Sequence, residues 1–190
     1  MEFLGSLISI WSIFMQLFLL SSASTSPRGN EVDRISLLAF KAEMNDSLGI
    51  LSSWNELVPT LLSVIGHQHK RVTVLDLQSR QLKGHLSPHI GNLSFLRTLN
   101  LQNNSFSSNI PQEIGHLFRL RKLDLGNSFF SGDIPVNISL FSSLQYLGLV
   151  LNLRKNNLVG EIPPSVGNPS SILRLSLDQN NLHGGGYLSK

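Results

Sequence analysis

One pattern governs what this chain can become. Val72-x-x-Leu75-x-Leu77, Leu96-x-x-Leu99-x-Leu101, Leu120-x-x-Leu123-x-Leu125 and Leu144-x-x-Leu147-x-Leu149 start 24 residues apart. The alternation of Leu-x-Leu is that of a short strand, so both leucines of each unit enter one interior. A unit this short cannot cover its own leucines. Successive units must therefore stack, strand beside strand, into a parallel sheet. Eight residues after the start an asparagine recurs at Asn104, Asn156 and Asn180. Its amide can both donate and accept where the chain leaves the strand. Arg80 and Ser128 take that position in two units; the serine is expected to substitute in part, and the first unit reads as an atypical cap.

The second half of each unit carries Gly84-x-Leu86, Ser108-x-Ile110-Pro111, Gly132-x-Ile134-Pro135 and Gly160-x-Ile162-Pro163. Glycine permits a turn and proline removes a ladder donor, so this arm is predicted to return along the outer side as extended or short helical backbone. The period breaks once: from Leu144 the next clean start is Ile172, 28 residues on, so two frames overlap across 144–153. Because the excess is even, the inward face survives. The expectation is one over-long strand or a bulge, with the following turn pushed outward. The last repeat runs out in Gly184-Gly185-Gly186-Tyr187-Leu188-Ser189-Lys190 where Ile-Pro is due, predicting a truncated repeat with an open edge.

Ahead of the repeats, Phe3 to Leu20 is almost wholly apolar or small and gives way to Ser21-Ser22-Ala23-Ser24-Thr25. This reads as a secretory signal peptide over 1–23; no Lys or Arg precedes the apolar run, which leaves an uncleaved anchor as the alternative. An N-terminal cap over 24–71 and repeats over 72–190, about five to six units, complete the predicted organisation. Sequons at Asn45, Asn92, Asn103 and Asn137 are the candidate glycosylation sites of a secreted chain, whereas Asn168 is excluded by Pro169.

Several function classes drop out. The chain has no cysteine, hence no thiolate nucleophile, disulfide or Cys-type zinc site. Lys plus Arg is 15 against 12 for Asp plus Glu, too weak an excess for a nucleic-acid binder. His67-x-His69 and His85-x3-His89 lack a carboxylate or cysteine to complete a metal set, and no Gly-x-Ser-x-Gly elbow is present. No catalytic residue, metal or cofactor is assigned.

Binding is the remaining class. Side chains beside and between the strand leucines face away from the interior, and they make the candidate ligand surface: Asp76, Gln78, Asn100, Gln102, Lys122, Asp124, Tyr146, Asn152, Arg154, Arg174 and Asp178. Six rungs at about 4.8 Å would give a face about 24 Å long, enough for an extended peptide or a protein edge. Tyr146, Lys122, Arg154 and Arg174 are its expected anchors, since aromatic and basic groups dominate interfaces.

The stretch Leu86-Ser87-Pro88-His89-Ile90-Gly91-Asn92-Leu93-Ser94-Phe95-Leu96-Arg97, the recurring G-x-I-P and the leader Asp33-Arg34-Ile35-Ser36-Leu37-Leu38-Ala39-Phe40-Lys41-Ala42 closely resemble the start of plant leucine-rich-repeat receptor-like kinase ectodomains, nearest to the immune-type group. The resemblance implies an α/β solenoid: a right-handed superhelix with a parallel concave sheet and an N-terminal helical cap. Within the leader, Ile35, Leu38, Ala39 and Ala42 form one helical face and Asp33 suits the N-cap. The family's cap carries a Cys-x-Trp…Cys clasp; Val58 and Ile65 stand roughly where those cysteines would be. No kinase motif is present. The resemblance implies extracellular recognition of a peptide or protein ligand, with a co-receptor as a further partner, in defence signalling. A membrane enters only through a longer product or an uncleaved anchor. The alternatives are a free-standing secreted module, such as an inhibitor of a wall-degrading enzyme or a decoy, and a non-functional gene fragment.

Overall fold

The computed structural model describes residues 29–52, 54, 71–138, 149–167 and 172–183. They form a solenoid with two five-stranded sheets. One sheet collects the Leu-x-Leu segments in the order β10-β8-β6-β4-β2: β2 (Val74–Asp76), β4 (Thr98–Asn100), β6 (Lys122–Asp124), β8 (Leu149–Asn152) and β10 (Ile172–Ser176), all parallel. Leu75 pairs with Leu99, Leu123 with Leu151 and Leu151 with Leu175, so equivalent leucines lie in one interior column. The leucines of the first four strands are fully buried, as the alternation predicts, whereas Leu175 and Leu177 of the last described strand are only partly covered.

The return arm is both extended and helical. β3 (Lys83–His85), β5 (Ser105–Asn109), β7 (Phe129–Gly132) and β9 (Asn157–Leu158) pair in parallel, and the cap strand β1 (Met44–Asn45) joins β3 antiparallel. Short 3-10 turns at Pro88–Asn92, Gln112–His116 and Pro164–Gly167 follow and bury Ile90, Ile114 and Val166. At Gly84, φ is +124° and an added Cβ would stand 2.1 Å from the Glu43 carbonyl oxygen. Only glycine allows the cap strand to pair that closely. Ser108 holds the same left-handed turn at φ +76° without glycine's freedom.

The cap helix α1 (Gly29–Ala42) faces the solenoid differently from the expectation. Asp33, Ser36, Leu37 and Phe40 are buried, while Ile35 is 49% exposed and Ala42 lies in solvent. The buried set also keeps helical spacing. It is selected by Phe40, whose ring stacks 6.3 Å from Phe106, itself 6.0 Å from Phe130. Asp33 is no N-cap: the helix begins four residues earlier, at Gly29. Its carboxylate accepts both forks of Arg71 at 2.9 Å and the Val72 N–H at 2.8 Å, fastening helix to first rung. Lys41 adds bonds to the Leu51 and Trp54 carbonyls at 2.6 and 2.7 Å. Arg34 pairs with Glu31 on the outer side and holds that carboxyl below its usual range. Val58 and Ile65, and the histidines at 67 and 69, lie outside the described residues.

The pairing of β8 chooses between the two frames, while most of the stretch expected to hold an over-long strand or a bulge lies outside the described residues. Leu123 pairs with Leu151, so the working unit starts at Gly148 and reaches Ile172 in the regular 24 residues. Eight residues separate Ile90 from Thr98, Ile114 from Lys122 and Val166 from Arg174, but twelve separate Ile138 from Val150. The four extra residues fall between Ile138 and Val150, a stretch mostly outside the described residues. β8 is four residues long, and the register shift falls on β10, between Ile172 and Arg174. The sheet accordingly has five rungs among the described residues, so the face spans about 19 Å at 4.8 Å per rung.

Candidate functional site

The exposed side of the first sheet is built from three columns. Val74, Thr98, Lys122, Val150 and Arg174 form one, and Asp76, Asn100, Asp124, Asn152 and Ser176 the next, each in direct ladder register. Gln78, Gln102, Gly126, Arg154 and Asp178 form the third, two residues further along each rung.

The middle column does a task that periodicity did not reveal. Asp76, Asn100, Asp124 and Asn152 each turn a side-chain oxygen onto the backbone N–H two residues on, at 3.1, 3.3, 3.3 and 3.1 Å. Such side-chain turns end the strand and substitute for the next ladder bond. Rungs are also cross-linked: Asn100 Nδ2 donates to Gln78 Oε1 at 3.0 Å, and Asn152 Nδ2 to Asp124 Oδ1 at 2.9 Å. Asn100 and Asp124 are in consequence only 2% and 6% exposed, not the open side chains expected of them. The signal was available in the sequence as Asx two residues before the turn, repeated in four units.

The other expected residues divide. Gln78, Asp76, Arg154, Arg174 and Asp178 are exposed, and Gln102, Lys122 and Asn152 are partly so. Arg154 pairs with Asp178 of the next rung, Lys122 approaches Asp124 at 3.8 Å, and Arg174 makes no ion pair among the described residues. Tyr146 lies outside the described residues, and the place opposite Lys122 is held by Val150.

Below the columns, Asn104 and Asn156 form the predicted inner asparagine ladder. Asn104 Nδ2 donates to the Leu77 and Leu101 carbonyls at 2.9 and 2.8 Å, while its Oδ1 accepts the Arg80 and Leu82 N–H groups at 3.1 and 3.0 Å. Asn156 and Asn180 repeat this two and three rungs on. Ser128 does not substitute: its hydroxyl is buried with no hydrogen-bond partner among the described residues, because it is too short to bridge.

Of the sequon asparagines, Asn45, Asn92 and Asn103 are exposed and Asn137 partly so. Asn103 Nδ2 donates to Ser79 Oγ at 2.9 Å, and Asn137 leans on the Gln112 carbonyl at 3.5 Å. A polar cleft of about 440 Å³ opens between the cap turn at Ser47–Leu48, the loops carrying Ser79 and Asn103, and Lys83 of β3. His85 and His89 are exposed, and among the described residues no three His, Cys, Asp or Glu side chains gather in a metal-binding cluster. Among these residues, too, no helix is long and apolar enough to cross a membrane.

Stacked parallel rungs, an inner asparagine ladder and a capping helix define a leucine-rich-repeat solenoid. A family profile described as leucine rich repeat N-terminal domain matches residues 30–59, and a leucine rich repeat profile matches 95–117 and 149–169. A putative receptor-like protein kinase of Arabidopsis thaliana is 42% identical over 81 residues, 40% of this chain and 8% of that protein. A chain of the BIR3–SERK2 complex from Arabidopsis thaliana superposes with TM-score 0.70 at 30% identity, covering 80% of this chain and 84% of that one. The PEPR1–AtPEP1 structure superposes with TM-score 0.68 at 33% identity, over 79% of this chain and 21% of that one. The chain belongs to the plant leucine-rich-repeat receptor-kinase family and corresponds to part of its ectodomain. It spans less than a tenth of the length of the curated receptor kinase it matches.

Proposed function

We propose that this chain is an extracellular recognition module whose exposed sheet face receives a peptide or protein ligand in a plant receptor system of the defence-signalling type, with a co-receptor as a second partner. The observation that carries the reading is the set of in-register columns, which present polar and charged side chains in line along successive rungs. The PEPR1 structure similar to this chain is a complex with AtPEP1, and another similar chain comes from a complex of two proteins, which supports a peptide or protein as the occupant. The contact residues on this reading are Asp76, Gln78, Gln102, Lys122, Asn152, Arg154, Arg174 and Asp178. Asn100 and Asp124 hold the strand ends in shape beneath them.

Residues 1–23 act as the signal peptide, 24–71 as the cap and 72–190 as the recognition repeats. Asn45, Asn92, Asn103 and Asn137 are the glycan acceptors of the secreted form. On this reading the module acts by binding, the role that the leucine-rich-repeat fold generally serves.

The test is retention of a pool of synthetic polar and acidic 15-residue peptides on the immobilised secreted chain. The wild type is expected to hold a subset that the Q102A/R154A/R174A variant releases. Equal retention by both would move recognition off this face.

A further inference from the structure

A second surface lies on the flank where the chain enters each strand. The described segments there, 71–74, 94–98, 118–122, 149–150 and 172–174, carry six of the 15 Lys and Arg residues and no Asp or Glu, with Lys122 and Arg174 shared with the first column of the sheet face. Among the described residues acids reach two of these cations: Asp33 of α1 takes Arg71, and Asp124, two residues along the same strand, stands 3.8 Å from Lys122. Arg97, Arg119 and Arg121 make no ion pair among the described residues. Aromatic rings are interleaved with them. Arg119 lies 3.9 Å from the Phe95 ring centroid and 5.7 Å from that of Phe118, and Arg71 lies 4.2 Å from Phe95. Phe118 is nevertheless 46% exposed.

Arg71 has its fork taken by Asp33 and Arg119 is held against Phe95, whereas Arg97 and Arg121 are exposed, with planar N–H forks suited to bidentate capture of a carboxylate. Arg97 and Arg121 occupy equivalent places in adjacent rungs, so their backbones are about 4.8 Å apart. Neighbouring acids on a helix, three or four residues apart, are separated by about 5–6 Å. Acids on the same face of an extended strand are separated by about 6.8 Å. The rung spacing therefore matches the helix better. The exposed Phe118 calls for an apolar group beside those acids, which a uniformly charged polysaccharide does not carry.

We propose that this flank docks an acidic amphipathic helix of a partner protein, separately from the ligand on the sheet face. The carboxylates would meet Arg97 and Arg121, and an apolar side chain would cover Phe118 and Arg119.

The test uses the full secreted chain and a fluorescein-labelled 18-residue Ala/Leu peptide carrying Glu at i,i+4 spacing. Comparison probes are the same peptide with Gln for Glu, the Glu peptide with a central proline, and an oligogalacturonate of equal charge. Binding of the Glu peptide that weakens with salt, and that falls about tenfold or more in R97E/R121E, is the expected result. The milder R97Q/R121Q variant, checked for wild-type circular dichroism, is expected to weaken binding in the same direction. R154A/D178A, on the sheet face, is expected to leave this binding unchanged even if the reading of that face fails. Equal binding of the Gln or proline-broken peptide, tighter binding of oligogalacturonate, or no effect of the arginine variants would overturn the proposal.

Discussion

Replacing Asn104 by alanine probes the inner ladder directly. The side chain serves the Leu77 and Leu101 carbonyls and the Leu82 N–H, all through buried bonds, and the Arg80 N–H near the surface. Alanine leaves the Arg80 group for water to satisfy, but strands three buried backbone groups across two rungs. At about 1–2 kcal/mol for each buried group left unpaired, less some regained side-chain freedom, the expected loss is about 3–4 kcal/mol. Asn104→Asp separates the two halves of the bond set. It keeps acceptors for the amides but points a carboxylate oxygen at carbonyls, which pushes its folded pKa above the unfolded value. Its stability is then nearest wild type at acidic pH and falls as pH rises through the folded pKa. Urea unfolding followed by far-UV circular dichroism at pH 4 and pH 7 measures both variants. A loss below about 1 kcal/mol in N104A, or an N104D variant that gains stability with rising pH, would refute the ladder as a source of stability.

Ser128→Asn, by the same reasoning, should supply the missing bridge and raise the unfolding midpoint by an amount worth about 1 kcal/mol, with an unchanged or lower midpoint counting against it. Ser108→Gly should relieve the left-handed strain at φ +76°, a modest gain of about 0.5–1 kcal/mol in the same assay. Gly84→Ala forces a Cβ into the Glu43 carbonyl and should cost about 2 kcal/mol or more, read out as faster amide exchange at Met44 and Asn45 where the cap strand lets go. Arg71→Ala leaves Asp33 charged and buried without its partner, at a cost of about 3 kcal/mol. The double change R71M/D33L should cost less than the single one, and equal losses would show that the pair itself matters little.

The stacking direction, the inward leucines and the asparagines at the strand exits were legible because each repeats at a fixed interval, and a short strand imposes its own alternation. The residues of the binding face were legible only as positions. Asn100 and Asp124 share the outward phase of Thr98 and Lys122, yet they are occupied with backbone amides and neighbouring amide side chains. A short polar side chain at the end of a strand finds a local partner before it finds a ligand. Leu173 shows the reverse limit: it stands 76% exposed on the last described strand, beside leucines that are only partly covered. Burial of a repeat depends on the next rung as much as on its own letters.

The amino-acid sequence alone determined the period, the parallel stacking and the charge segregation along the flank, since these follow from spacing that any stacked arrangement must respect. Tertiary structure decided which of two overlapping frames became β8 and which face of the cap helix turned inward. Those choices lie between alternatives of nearly equal local merit. They are settled by contacts far apart in the chain: Leu151 against Leu123, Phe40 against Phe106, and Asp33 against Arg71.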